Sequence, residues 1–135
     1  MKKVMLLVVV VMMMMIGGCE STIKNITIPG AIKKYKKVAY KIELGQSKED
    51  VLSVLQPTQK GLPADAKRIP EVYFEDGKTI EVYFFRTAHY SNSHYTDDEY
   101  VPYVFIDNKL NSVGWTALGG PKTRRRMSPV QKLFN

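Results

Sequence analysis

Apolar positions along this chain fall into two regimes. Thirteen stand together from Val4 to Ile16, and after that they come spaced. Val38, Tyr40, Ile42 and Leu44 alternate with Lys37, Ala39, Lys41 and Glu43, a period of two that predicts a half-buried strand. Gly45 breaks the alternation, and Ser47-Lys48-Glu49-Asp50 reads as a helix start. The serine caps free backbone donors, and Asp50 suits the positive end of the dipole. Val51, Leu52 and Leu55 share one face of that helix, and Pro57 is expected to stop it. Residues 56–69 form a polar loop with two prolines and a glycine. Two aromatic runs follow, Glu71–Glu75 and Thr79–Phe85, separated by Asp76-Gly77, a pair suited to a tight hairpin because glycine accepts positive φ. The expected core-facing residues are Val72, Phe74, Ile80, Val82 and Phe84.

Residues 87–99 contain no large aliphatic side chain and read as a long exposed loop. Tyr100–Ile106 is the next strand, with Pro102 pushing it toward a sheet edge. Asp107-Asn108-Lys109 makes a turn, and a last strand runs over Leu110–Thr116. Gly119-Gly120-Pro121 ends the domain, so residues 119–135 read as a basic, flexible tail. The predicted fold is α+β: a short helix packed on one face of an antiparallel sheet of three to five strands.

The N-terminal run has a different meaning. Lys2 and Lys3, a short apolar stretch and two small residues make a secretory leader. Thirteen apolar residues fall short of the roughly 17–25 that span a bilayer, which disfavours an uncleaved anchor helix. Ile16-Gly17-Gly18-Cys19 resembles the lipobox of bacterial lipoprotein precursors. The resemblance implies diacylglyceryl attachment to the Cys19 sulfur and cleavage before it, leaving residues 1–18 as signal peptide and residues 19–36 as lipidated cysteine and tether. The folded domain is expected over residues 37–118. Two or more acyl chains hold a protein on a membrane where one does not.

Cys19 is the only cysteine, so no disulfide is available and packing alone must stabilise the domain. Lys and Arg number 20 against 13 Asp and Glu, and the excess gathers at Lys33, Lys34, Lys36 and Lys37 and at Arg124, Arg125 and Arg126. Beside a lipid anchor such clusters suit anionic phospholipid, at about 1 kcal/mol per residue near the surface. The same residues also read as solvated charge runs. Nucleic acid is not an expected partner of an exported protein.

Residues 42–57, with Gly45, the Ser47 cap, Val51, Leu55 and Pro57, are similar to a segment of the SmpA/OmlA small lipoproteins, the BamE-like group. In that segment Gln46 and Gln56 replace the family's usual methionine and glycine. The hairpin strands and the later stretch Val104–Trp115 also look like that group's strands, and the helix motif is shared with β-lactamase-inhibitor-like folds. The strand before the helix and the insertion at 87–99 depart from the outline. The resemblance implies a non-enzymatic, lipid-anchored protein of the outer membrane facing the periplasm, an accessory of β-barrel protein assembly or envelope integrity.

No glycine-rich phosphate cradle and no serine or cysteine nucleophile with a base occurs in the chain, and no cofactor is expected. His89 and His94, with the carboxylates at 97–99, are weak candidates for a metal site. Aromatic side chains exceed what one small core needs, and Tyr83, Phe85, Tyr90, Tyr95 and Tyr103 are the candidate partner-binding set. The alternative function is an envelope module that binds peptidoglycan or another secreted protein.

Overall fold

A computed structural model describes residues 26–90 and 95–124. The order is helix α1 (Ile28–Val38), helix α2 (Lys48–Gln59), then strands β1 (Glu71–Glu75), β2 (Lys78–Arg86), β3 (Tyr100–Ile106) and β4 (Lys109–Val113). The strands form one antiparallel sheet in sequential order. The protein is therefore α+β, with two helices against the sheet.

α1 occupies ground expected to be tether and strand. Thr27 caps it by accepting from the Gly30 N–H at 3.2 Å, and Pro29 sits in the first turn, where a missing N–H costs nothing. Ala31 and Tyr35 are buried on one side. The alternation at 38–44 does not turn one face inward: Val38, Ala39 and Ile42 pack against the helix-side core, Tyr40 is 77% exposed and Leu44 67%, and residues 39–41 form a 3-10 turn. Ile26, the first described residue, donates its N–H to the Gly61 carbonyl at 3.1 Å.

α2 starts as expected, with Ser47 Oγ accepting from the Asp50 N–H at 3.1 Å. It passes through Pro57 and ends at Gln59. A proline removes one bond of the helical ladder, but Thr58 and Gln59 are buried against the sheet, so packing holds the last turn in place.

Both faces of the sheet carry apolar clusters. On the helix side Val51, Leu55 and Tyr35 pack on Phe85, Tyr103, Phe105 and Leu110. On the other side Val82, Phe84, Tyr100 and Val104 meet Trp115 and Leu118. Full burial of each such side chain contributes about 1.5–3 kcal/mol. Val82 and Phe84 face inward as expected, whereas Val72 is 53% and Phe74 81% exposed. The two-residue turn explains the error. It sets Val72 opposite Glu81 and Phe74 opposite Thr79, so β1 places its even-numbered residues on the face of β2's odd-numbered ones.

β3 is an interior strand despite Pro102. The proline lies opposite Phe84 and past the last residue of β4. That pair exchanges no backbone bonds, so the proline costs none toward β2, and its carbonyl accepts from the Gly114 N–H at 2.8 Å. β4 ends at Val113, and Trp115 belongs to a 3-10 turn over Trp115–Leu118. The chain stays attached beyond Gly120, because the Asp97 carboxylate accepts from the Lys122 and Thr123 N–H groups at 3.0 and 3.2 Å. Among the described residues no helix is long and apolar enough to cross a membrane.

Candidate functional site: a cleft in the plane of the sheet

β2 outruns the strand beside it. Glu71, the first residue of β1, lies opposite Val82, so Tyr83 to Arg86 have no β1 partner. In an antiparallel sheet successive residues turn their backbone groups to opposite neighbours. The Thr87 N–H donates to the Glu99 carbonyl at 2.8 Å and the Asp107 N–H to the Thr79 carbonyl at 3.0 Å. Odd-numbered residues of β2 thus bond to β3, and Val82, Phe84 and Arg86 face the other way. At Arg86 the side chain of Gln59 fills the missing strand's place: its carbonyl accepts from the Arg86 N–H at 3.0 Å and its NH2 group lies 3.3 Å from the Arg86 carbonyl. Between Glu71 and Gln59 lies Phe84. A continued β1 would set Ile69 against it, but Ile69 is 82% exposed, and among the described residues no backbone partner meets Phe84 on that side.

A cleft of about 560 Å³ opens at this point, within the 300–1,000 Å³ range of ligand pockets. Leu52, Gln56 and Lys60 line it from the α2 side, Lys67, Arg68 and Pro70 from the connection to β1, and Tyr83, Phe84 and Phe85 from β2. Arg68 is a fixed wall. Its guanidinium lies 4.0 Å from the centre of the Phe84 ring, pairs with Asp97, and meets Glu71 at 3.1 Å.

Of the residues expected to bind a partner, Tyr83 and Phe85 border this cleft, and the half-buried Tyr83 donates its hydroxyl to Glu81 at 3.3 Å. Phe85 and Tyr103 are corrections: they are 3% and 2% exposed and belong to the core, and the Tyr103 hydroxyl sits 2.8 Å from that of Tyr35. Burial pushes both hydroxyl pKa values up. Tyr95 is exposed on one side and lies over the Arg86 guanidinium at 4.1 Å. Tyr90 donates its N–H to Glu99 at 2.9 Å.

The expected loop at 87–99 is anchored by a buried ion pair. Arg86 is fully buried and Glu99 1% exposed, with 3.0 Å between them. Arg86 also donates to the Tyr100 hydroxyl at 3.0 Å, and its Nε has no partner among the described residues. His89 leans on the same pair, 3.4 Å from Arg86 and 3.8 Å from Glu99. Asp97 is held by Arg68 and the C-terminal segment. Burial alone would raise its pKa, but the Thr123 and Lys122 N–H groups and Arg68 outweigh that and lower it. Among the described residues no three His, Cys, Asp or Glu side chains could hold a metal ion. His94 lies outside the described residues.

Set against protein-family models, curated proteins and solved structures, the chain matches none.

A second groove, of about 720 Å³, runs between α1 and residues 87–90 and is lined by Lys33, Lys36, Lys37, His89 and Tyr90 among others. Lys34 is exposed on another side of the helix, and Arg124 is exposed at the end of the described chain. Cys19, Arg125 and Arg126 lie outside the described residues. Sequence reasoning missed Gln59, Phe84 and the Lys60–Lys67 rim. The available signal was the hairpin turn itself, which fixes where β1 must start relative to β2 once the length of each apolar run is read.

Proposed function

We propose that this protein is a lipid-anchored component of the bacterial cell envelope whose small α+β domain acts by binding, not by catalysis. The observation that carries the reading is Ile16-Gly17-Gly18-Cys19, its cysteine seven residues before Ile26, whose N–H bonds to the Gly61 carbonyl of the folded domain. Seven residues reach at most about 25 Å when extended, so a chain acylated at Cys19 keeps its domain against the bilayer. Between Glu20 and Glu43 the sequence has six lysines and no acidic residue. Four of them, Lys33, Lys34, Lys36 and Lys37, lie on α1, where they favour anionic headgroups. The binding reading draws support from the cleft, and from His89, Asp97 and Glu99 being engaged in holding the loop. The finer assignment, an accessory of β-barrel assembly or envelope integrity on the periplasmic side of the outer membrane, is supported by the resemblance of residues 42–57.

Intact mass spectrometry of the membrane-extracted protein tests the anchor. The expected mass is that of a chain beginning at Cys19 and carrying two or three acyl chains, and Cys19→Ala should abolish processing or membrane retention. An unmodified thiol, or a variant held firmly in the membrane by an intact leader, refutes it.

A further inference from the structure

An opening lined by the consecutive strand residues Tyr83, Phe84 and Phe85 has an unusual property. Their side chains point to opposite faces of the sheet, so the cleft that touches all three lies in the sheet plane, where a neighbouring strand belongs. The main-chain N–H and C=O of Phe84 face it, and unpaired backbone groups on a strand edge are a template for another chain. Gln59 already shows that the edge accepts an amide, because its carboxamide meets Arg86 as a peptide group would.

We propose that this gap is a docking site for an extended, acidic segment of a partner protein, which pairs its main chain with Phe84 and sets a carboxylate against Lys60 and Lys67. The mode is strand addition, in which backbone bonds give affinity and flanking contacts give selectivity. Charge selects the occupant. No aspartate or glutamate lines the cleft, and Arg68 is already neutralised by Asp97 and Glu71, so Lys60 and Lys67 set the sign of the rim. A second copy pairing through the same edge would bring like lysines together. The chain's own residues 122–135 carry Lys122, Arg124, Arg125, Arg126 and Lys132 and no acid, the wrong sign for this rim. The inference rests on the domain acting by binding, and it is independent of lipidation. A negative peptide result leaves the Cys19 mass standing, and an unmodified Cys19 leaves the peptide result standing.

Selective 15N-phenylalanine labelling of the full chain in detergent micelles gives one amide signal for each of its five phenylalanines. Phe85, bonded toward β3, is the internal control for Phe84. In the free protein the Phe84 amide should exchange with solvent at least about tenfold faster than that of Phe85. The peptide Glu-Val-Thr-Val-Glu-Val-Thr at millimolar concentration should slow Phe84 exchange about tenfold and leave Phe85 unchanged. N-methylation of its central valine should abolish the effect. A lysine-for-glutamate twin should bind about tenfold more weakly, and Lys60→Glu/Lys67→Glu should reverse that preference. The proposal is overturned if Phe84 is as protected as Phe85 without peptide, if millimolar peptide leaves it unmoved, or if the N-methylated peptide works equally well. Protection of Phe84 that depends on protein concentration alone assigns the edge to a second copy. Protection lost on removing residues 125–135 assigns it to the tail. Either result also overturns the proposal.

Discussion

Replacing Glu99 by glutamine removes one charge from a pair that water does not reach. Glu99 Oε1 accepts from Arg86 at 3.0 Å and from the Tyr90 N–H at 2.9 Å, and Oε2 accepts from the Thr96 N–H at 2.9 Å. Glutamine has one acceptor where these three donors need two, and its NH2 group must face a donor whichever way it turns. Arg86 keeps its charge, with the Tyr100 hydroxyl and the Ala66 carbonyl at 3.4 Å as its remaining oxygen partners. Breaking a buried pair on one side costs about 3–5 kcal/mol, chiefly through the charge left behind. That is a large part of the 5–15 kcal/mol that holds a typical domain together. With a urea slope of about 1–3 kcal/mol per molar, the unfolding midpoint should fall by roughly 2 M. Trp115, the single tryptophan, reports the transition, since its Nε1–H donates to the Tyr100 carbonyl at 2.8 Å beside the pair. Arg86→Met combined with Glu99→Gln should recover more than half of the loss, because no orphan charge remains. A loss below about 1 kcal/mol in the single variant, or a double variant no better than the two losses summed, refutes this account of the loop anchor.

Tyr35→Phe leaves the buried Tyr103 hydroxyl without its partner and should cost about 1–3 kcal/mol; Tyr35→Phe/Tyr103→Phe should melt higher than the single variant, as followed by circular dichroism. Asp97 has a folded-state pKa below its unfolded value of about 3.9, so its contribution is complete above that value and vanishes as the pH falls through the folded one. Asp97→Asn should therefore lose about 1.5–3 kcal/mol at pH 7, and its gap from the parent protein should close below about pH 4. A gap that stays constant with pH contradicts the charge-based explanation. Pro57→Ala restores a donor toward the Ser53 carbonyl and removes the ring clash within α2, and should stabilise the protein by about 1–3 kcal/mol, seen as a higher melting temperature.

What the chain made legible, and what it hid, follows from which signals are local. Ser47, the Asp76-Gly77 turn and the apolar runs of β2 and β3 act through neighbours, and each reads correctly, while the turn at 107–109 closes one residue sooner than expected because Lys109 pairs with Ile106. α1 was legible in Thr27-Ile28-Pro29, a cap followed by a first-turn proline. Pro29-Gly30 read as a break because the same pair also opens loops. The alternation at 38–44 was a coincidence of spacing: Val38 and Ile42 reach the core from a helix end and a turn, while Tyr40 and Leu44 face solvent. Tyrosine surplus pointed to a binding surface, yet Tyr35, Tyr100 and Tyr103 are buried, two of them by sharing hydroxyls with each other. Glu99 read as a loop carboxylate because nothing local to it announces a partner thirteen residues away, at Arg86. The cleft depends on β1 being shorter than β2, a difference between two segments and not a property of either.

The meander has a consequence for how the molecule forms. Asp76-Gly77 and Asp107-Asn108 all adopt positive φ, the geometry that closes tight hairpins, so β1–β2 and β3–β4 each zip from their own corner on a microsecond scale. Joining the two halves must instead close residues 87–99, at an entropic cost that grows with the length spanned. The two ribbons must therefore be brought together across that span, and Glu99, by gathering Arg86, Tyr90 and Thr96 around one carboxylate, sits at the joint between them.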